Sequence, residues 1–103
     1  MSSISIKQLY RSTGDYINKN IKVSGWVKTE RTSKNFGFIE LNDGSFFKNL
    51  QIVFEEGIEN FNDVAKLSVG SAIIAEGVLT ESPGAKQPFE LKADKIVIEG
   101  RST

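Results

Sequence analysis

Apolar and polar residues alternate with a period of two in one stretch of this chain after another, and few folds accept that pattern. Ile21, Val23, Gly25 and Val27 alternate with Lys22, Ser24, Trp26 and Lys28, which reads as a first strand. Asn35 to Leu41 reads as a second, joined to the first by a basic, polar turn carrying Lys28, Arg31 and Lys34. Asn42-Asp43-Gly44-Ser45 is a turn signal, because Asn, Asp and Gly tolerate the backbone angles a reversal needs. Asn49 to Glu55 is a third strand, Ala72 to Leu79 a fourth and Phe89 to Ile98 a fifth, with an irregularity expected at Ala93-Asp94.

Two segments carry a helical period instead. Ser5 reads as a cap before Ile6, Leu9 and Tyr10, so a short N-terminal helix is expected to end near Thr13-Gly14. Ile58, Phe61, Val64, Ala65 and Leu67 stand three to four apart, which predicts a helix of about ten residues over 58–67. Five strands with one helix between the third and fourth is the order of an OB-fold, a partly open five-stranded Greek-key barrel. The predicted fold class is therefore all-β with small helices added. Gly25 and Gly77 fall in mid-strand, where a small, strongly bent barrel needs them. Phe61, Val64 and Leu67 would plug its bottom, and Trp26 is expected in the core after a bulge at Gly25. Residues 1–99 would form this domain, and residues 100–103 the start of a cut linker.

Composition removes several function classes. The chain has 103 residues, one domain's worth, and 39 % of them are hydrophobic, enough for one small core. It has no Cys and no His, so disulfides, thiol nucleophiles, the usual zinc sites and imidazole chemistry are out of reach. No run approaches the length of a membrane span, and the first residues lack the regions of a secretory signal, so a cytoplasmic protein without membrane contact is expected. No paired carboxylates, phosphate-cradling glycine loop or nucleophile elbow appears, and no catalytic residue is expected here. Net charge is zero, unlike a non-specific nucleic-acid binder. The charge is uneven, however. Lys19, Lys22, Lys28, Arg31 and Lys34 face Glu30 alone, while Glu55, Glu56, Glu59 and Asp63 have no cation among them.

The pleat sorts the middle strands. Ile39 and Leu41 share a phase with Gly37 and match Leu50, Ile52 and Phe54 as core. Phe36, Phe38, Glu40, Asn49 and Gln51 then face outward together. Exposed rings are costly unless something covers them, and nucleobases stack on such rings. Gln51 carries both a donor and an acceptor for a base edge, and Arg31 can pair with a phosphate or stack. Phe36 either joins this face or closes the barrel end. The same surface suits an unpaired RNA strand, a protein partner anchored on Phe36 and Phe38, or a general single-strand binder.

Ser24-Gly25-Trp26-Val27, Arg31, Asn35 to Gly44 and Leu50-Gln51 closely resemble the N-terminal anticodon-binding domain of asparaginyl-tRNA synthetases. The segment Glu81-Ser82-Pro83-Gly84-Ala85-Lys86-Gln87-Pro88-Phe89-Glu90 strengthens the likeness. The resemblance implies a module for the anticodon loop of asparagine tRNA, which reads GUU. It implies that Phe38 stacks on the middle uridine, that Gln51 bonds the same base, that Arg31 contacts the loop and that Glu90 approaches the third base. Lys28 and Phe36 join these as candidate RNA-binding residues. No metal or cofactor is expected in this chain. The implied parent is a dimeric ligase using ATP and magnesium through a catalytic core after Thr103, and this piece alone would be a monomer.

Overall fold

The computed structural model describes residues 3–81 and 89–100. Two short helices, α1 (Ile6–Arg11) and α2 (Thr13–Tyr16), lead into β1 (Asn20–Thr32), β2 (Phe36–Asn42) and β3 (Leu50–Glu55). A single helical turn, α3 (Phe61–Val64), separates these from β4 (Ala72–Glu81) and β5 (Phe89–Gly100). The strands close into a barrel in the order β1-β2-β3-β5-β4, with β4 returning to β1. Every pairing is antiparallel except β3 with β5, which runs parallel. This is the OB-fold that the strand order implies.

β1 serves two neighbours in turn. Asn20 to Trp26 pair with β4, and Trp26 to Thr32 pair with β2. The strand changes partner at a bulge: Val27 faces Leu41 and Thr29 faces Glu40, so Lys28 is the extra residue. The expected turn at 28–34 is therefore mostly strand, and Arg31 lies within β1 rather than after it. The bulge also falls at Lys28 and not at Gly25. Trp26 consequently keeps its outward phase and is 50 % exposed, not in the core as expected. Gly25 and Gly77 have a different reason to be glycine. A Cβ on Gly77 would overlap the Lys92 carbonyl, and one on Gly25 the Asn42 carbonyl. The irregularity expected in β5 is present: Glu76 pairs with Lys95 and Gly77 with Ala93, leaving Asp94 extra.

The core is the inward phase of all five strands. Ile39, Leu41, Leu50, Ile52 and Phe54 are all fully buried, with Ile21, Val23, Val27, Ile73, Leu79, Phe89 and Leu91 around them. Gly37 belongs to this inward set, since a Cβ there would run into the Phe54 ring.

The ten-residue helix expected over 58–67 is not formed; only Phe61–Val64 is α-helical. Ile58, Phe61, Val64 and Leu67 recur every third residue, which is the period of the tighter three-residue turn. The backbone follows that period, with Phe61 N donating to Ile58 O and Leu67 N to Val64 O. Asn60 does not cap the helix; its Nδ2 donates to the Ile96 carbonyl at 2.8 Å and straps the turn to β5. Ile58, Val64 and Leu67 are still buried, and Phe61 lies 5.5 Å from the Phe54 ring, so the plug survives the shorter helix.

The strands also outrun the sequence limits: β4 continues to Glu81 and β5 to Gly100. Residues 82–88 and 101–103 of the expected loop and linker lie outside the described residues.

α1 is capped twice. Ser5 and Gln8 form a reciprocal capping box, Ser5 Oγ accepting from Gln8 N at 3.1 Å and Gln8 Oε1 from Ser5 N at 3.2 Å. From the β2–β3 loop, Asp43 Oδ2 accepts from Ile6 N at 2.9 Å, and Ser45 Oγ from Lys7 N at 3.1 Å. Partial burial pushes the Asp43 carboxyl up, but the hydrogen bonds from Ser45 and Ile6 outweigh it and hold the pKa below the ordinary value. A lowered carboxyl stabilises fully above the unfolded pKa, about 3.9, and that contribution is lost as pH falls through the lower folded value.

Asp43→Ala should cost about 1 kcal/mol at neutral pH, read as a lower urea midpoint, with the gap to wild type closing below about pH 3.9. Gly77→Ala should cost about 1–3 kcal/mol through overpacking against Lys92; an unchanged urea midpoint would contradict the close approach.

Candidate nucleic-acid interface

Register on β1, β2 and β3 brings the expected residues onto one outer face. Arg31 is the cross-strand partner of Phe38, and Phe38 is the partner of Val53. Thr29 faces Glu40, and Glu40 faces Gln51. Phe36 faces Glu55 at the end of the sheet. Partners directly opposite share a face, so these rows are rows of neighbours. Gln51 stands diagonal to Phe38, one row along.

The parallel pairing of β3 with β5 extends the rows. Val53 pairs with Lys92, and continuing that register by one pair sets Glu90 beside Gln51. Glu90 and Gln51 are both half-buried, while Lys28, Arg31 and Lys92 are exposed. Thr80, across from Glu90 on β4, donates through Oγ1 to the Glu90 carbonyl at 3.4 Å. Phe36, Phe38, Val53, Glu55 and Glu90 line one shallow groove.

Two rings on this face remain open to water. Phe36 is 42 % exposed and Phe38 37 %, with centroids 5.4 Å apart and planes nearly perpendicular at 89°. That edge-to-face contact holds both rings while leaving apolar surface uncovered. Phe36 therefore joins the face and does not close the barrel end. Lys28 rides on the bulge at the edge of the same surface.

The structure adds neighbours to the expected RNA-binding residues. Val53 is the floor between Phe38 and Lys92, and Lys92 is a cation on the β5 side. Val53 is outward by the alternation of β3 and pairs with Phe38, whereas Lys92 comes alongside only through the β3–β5 pairing, which no local signal encodes. A second aromatic group, Tyr10 with Phe46 and Phe47, stands at the β2–β3 loop. Adjacent phenylalanines directly after a turn signal were the available clue. Tyr10 OH donates to the Asn49 carbonyl at 2.8 Å, and its pKa is raised first by burial and then by the charge of Glu40.

Among the described residues no cluster of acidic side chains could hold a metal ion. No helix among them is long and apolar enough to cross a membrane.

Comparison with known proteins agrees with the fold. Residues 21–99 match the tRNA anticodon family, described as an OB-fold nucleic acid binding domain. The chain is 70 % identical over 104 residues to asparagine–tRNA ligase of Acetivibrio thermocellus, covering all of this chain and 22 % of that protein. It is 61 % identical to the Clostridium tetani ligase over 99 % of this chain and 22 % of that one. The chain thus spans about a fifth of the length of the curated relatives it matches. Among solved structures, asparaginyl-tRNA synthetase from Pyrococcus horikoshii, complexed with asparaginyl-adenylate, superimposes with a TM-score of 0.85 at 19 % identity. That match covers all of this chain and 23 % of the synthetase. An OBody bound to hen egg-white lysozyme matches at 0.75 and 16 % identity, over 99 % of each chain. These two structural likenesses speak for the fold. The family match spans most of the residues from β1 to β5, and the chain belongs to the tRNA anticodon family of OB-fold nucleic-acid-binding domains.

Proposed function

We propose that this chain is the anticodon-binding module of an asparagine–tRNA ligase and holds a GUU anticodon loop on the outer face of β1, β2 and β3. The observation that carries the reading is the pair of uncovered rings, Phe36 and Phe38, on a sheet face that also presents Arg31 and Gln51. Phe38 stacks on the middle uridine, and Phe36 buttresses it edge-on. Arg31, directly across from Phe38, lies against the same nucleotide through its phosphate or its base. Lys28 neutralises a neighbouring phosphate. Glu90 approaches the third base.

Gln51 reads the uracil edge. Its Oε1 accepts from uracil N3–H and its Nε2 donates to a uracil carbonyl. A carboxamide turned over would suit cytosine equally well, so discrimination needs a fixed orientation. Glu40, the cross-strand partner of Gln51, carries carboxylate oxygens that accept and do not donate, and so favours Nε2 turned toward itself. Oε1 is then left to meet a donor, which uracil N3–H is and cytosine N3 is not.

Aminoacylation with ATP and magnesium, the dimeric state and the cytoplasmic setting belong in this reading to the remainder of the parent ligase. The domain by itself is monomeric and catalyses nothing.

Phe38→Ala should weaken binding of a GUU hairpin by about 1–3 kcal/mol in a fluorescence titration. Equal affinity of the two proteins would remove the stacking role. Replacing the middle U by C should weaken wild type more than replacing a stem pair does. Glu40→Gln should narrow that U-over-C preference; an unchanged preference would show that Glu40 does not orient Gln51.

A further inference from the structure

The most exposed large apolar side chain among the described residues is not on the strands. Phe47, in the β2–β3 loop, is 81 % exposed. The loop around it is braced. Asn42 Nδ2 donates to the Phe46 carbonyl at 3.2 Å and to Asn49 Oδ1 at 2.9 Å, while Asn42 Oδ1 accepts from Gly44 N at 2.7 Å. Phe47 packs one side of its ring 4.6 Å from Phe46, which is seated 5.0 Å from Tyr10. The Lys48 ammonium lies 5.7 Å from the Phe47 centroid and 5.6 Å from that of Tyr10. A held-out ring with a cation beside it matches the two ends of a nucleotide, a flat base and an anionic phosphate.

We infer that Phe47 and Lys48 form a second nucleotide station, stacking a base that flanks the anticodon and pairing with its phosphate. The inference rests on the anticodon-loop reading above. The loop that carries the station joins β2 to β3 at the end of that face. Tyr10 is tied to Asn49, which directly precedes Leu50 and Gln51 on β3. An RNA strand that runs along β2 and β3 from Phe36 past Gln51 heads toward the loop that carries Phe47. The ammonium favours an anionic partner over a purely apolar protein surface.

The test compares two RNAs on this chain, a hairpin with a seven-nucleotide loop centred on GUU and the bare trinucleotide GUU, with binding followed by amide shifts. Phe47→Ala should weaken the hairpin about five- to a hundredfold and leave the trinucleotide unchanged, whereas Phe38→Ala weakens both. Phe47→Tyr, which keeps the ring, should bind the hairpin like wild type. Lys48→Gln should lower the slope of log affinity against log salt by about 0.7. Hairpin binding unaffected by Phe47→Ala but weakened by Phe38→Ala overturns the second station alone and turns Phe47 toward a protein partner. Indifference to both substitutions removes the anticodon-loop reading itself. Because Phe47 is so exposed, its replacement should not disturb the fold, and an unchanged urea midpoint checks this.

Discussion

The Phe54 ring occupies the space where a side chain on residue 37 would stand. That single contact makes position 37 the inward one in β2. A strand's period of two then turns Phe36 and Phe38 out, whatever their own preference for burial. A slip of one residue would bring both rings into the barrel and carry Ile39 and Leu41 into water. The two aliphatics are fully buried, so the register is strongly held. The exposed rings are thus a consequence of packing on the other side of the sheet, and the cost of exposing them makes the face receptive to a flat ligand.

The bulge at Lys28 does for β1 what Gly37 does for β2. Val27 is buried against the core, and Thr29 is already outward, so the chain spends one extra residue to stay on the outer surface. Arg31 arrives opposite Phe38 because of that extra residue. Asp43 and Ser45 meanwhile join the β2–β3 loop to α1, fixing one border of the same face. The barrel therefore positions a cation, two rings and a carboxamide with backbone pairing alone, and none of them depends on a flexible loop for its place.

Much of this was legible in the chain itself. Alternation located all five strands, and parity along β2 and β3 separated Ile39, Leu41, Leu50, Ile52 and Phe54 from Phe36, Phe38 and Gln51 correctly. The misreadings share a cause, which is that local pattern does not report which strand lies alongside. Lys28 to Thr32 look like a polar turn, yet pairing with β2 makes them strand. Trp26 looks like core by residue type, yet its phase and the position of the bulge leave it half exposed. The segment 58–67 has helical spacing, but its strict threefold recurrence and the Asn60 strap to β5 produce tighter turns. Lys92 joined the face only through the parallel β3–β5 pairing, a contact between residues far apart in the chain.

The central claim is that one face, built around Phe38 and Gln51, holds the unpaired bases of an anticodon loop. Nuclear magnetic resonance of this chain titrated with a GUU hairpin tests it most directly. The Phe38 ring and Gln51 side-chain amide signals should move with saturation, while the amide of Val97, on the outer surface of β5 beside β4, should stay in place. Shifts centred on Val97 with Phe38 and Gln51 silent would contradict it.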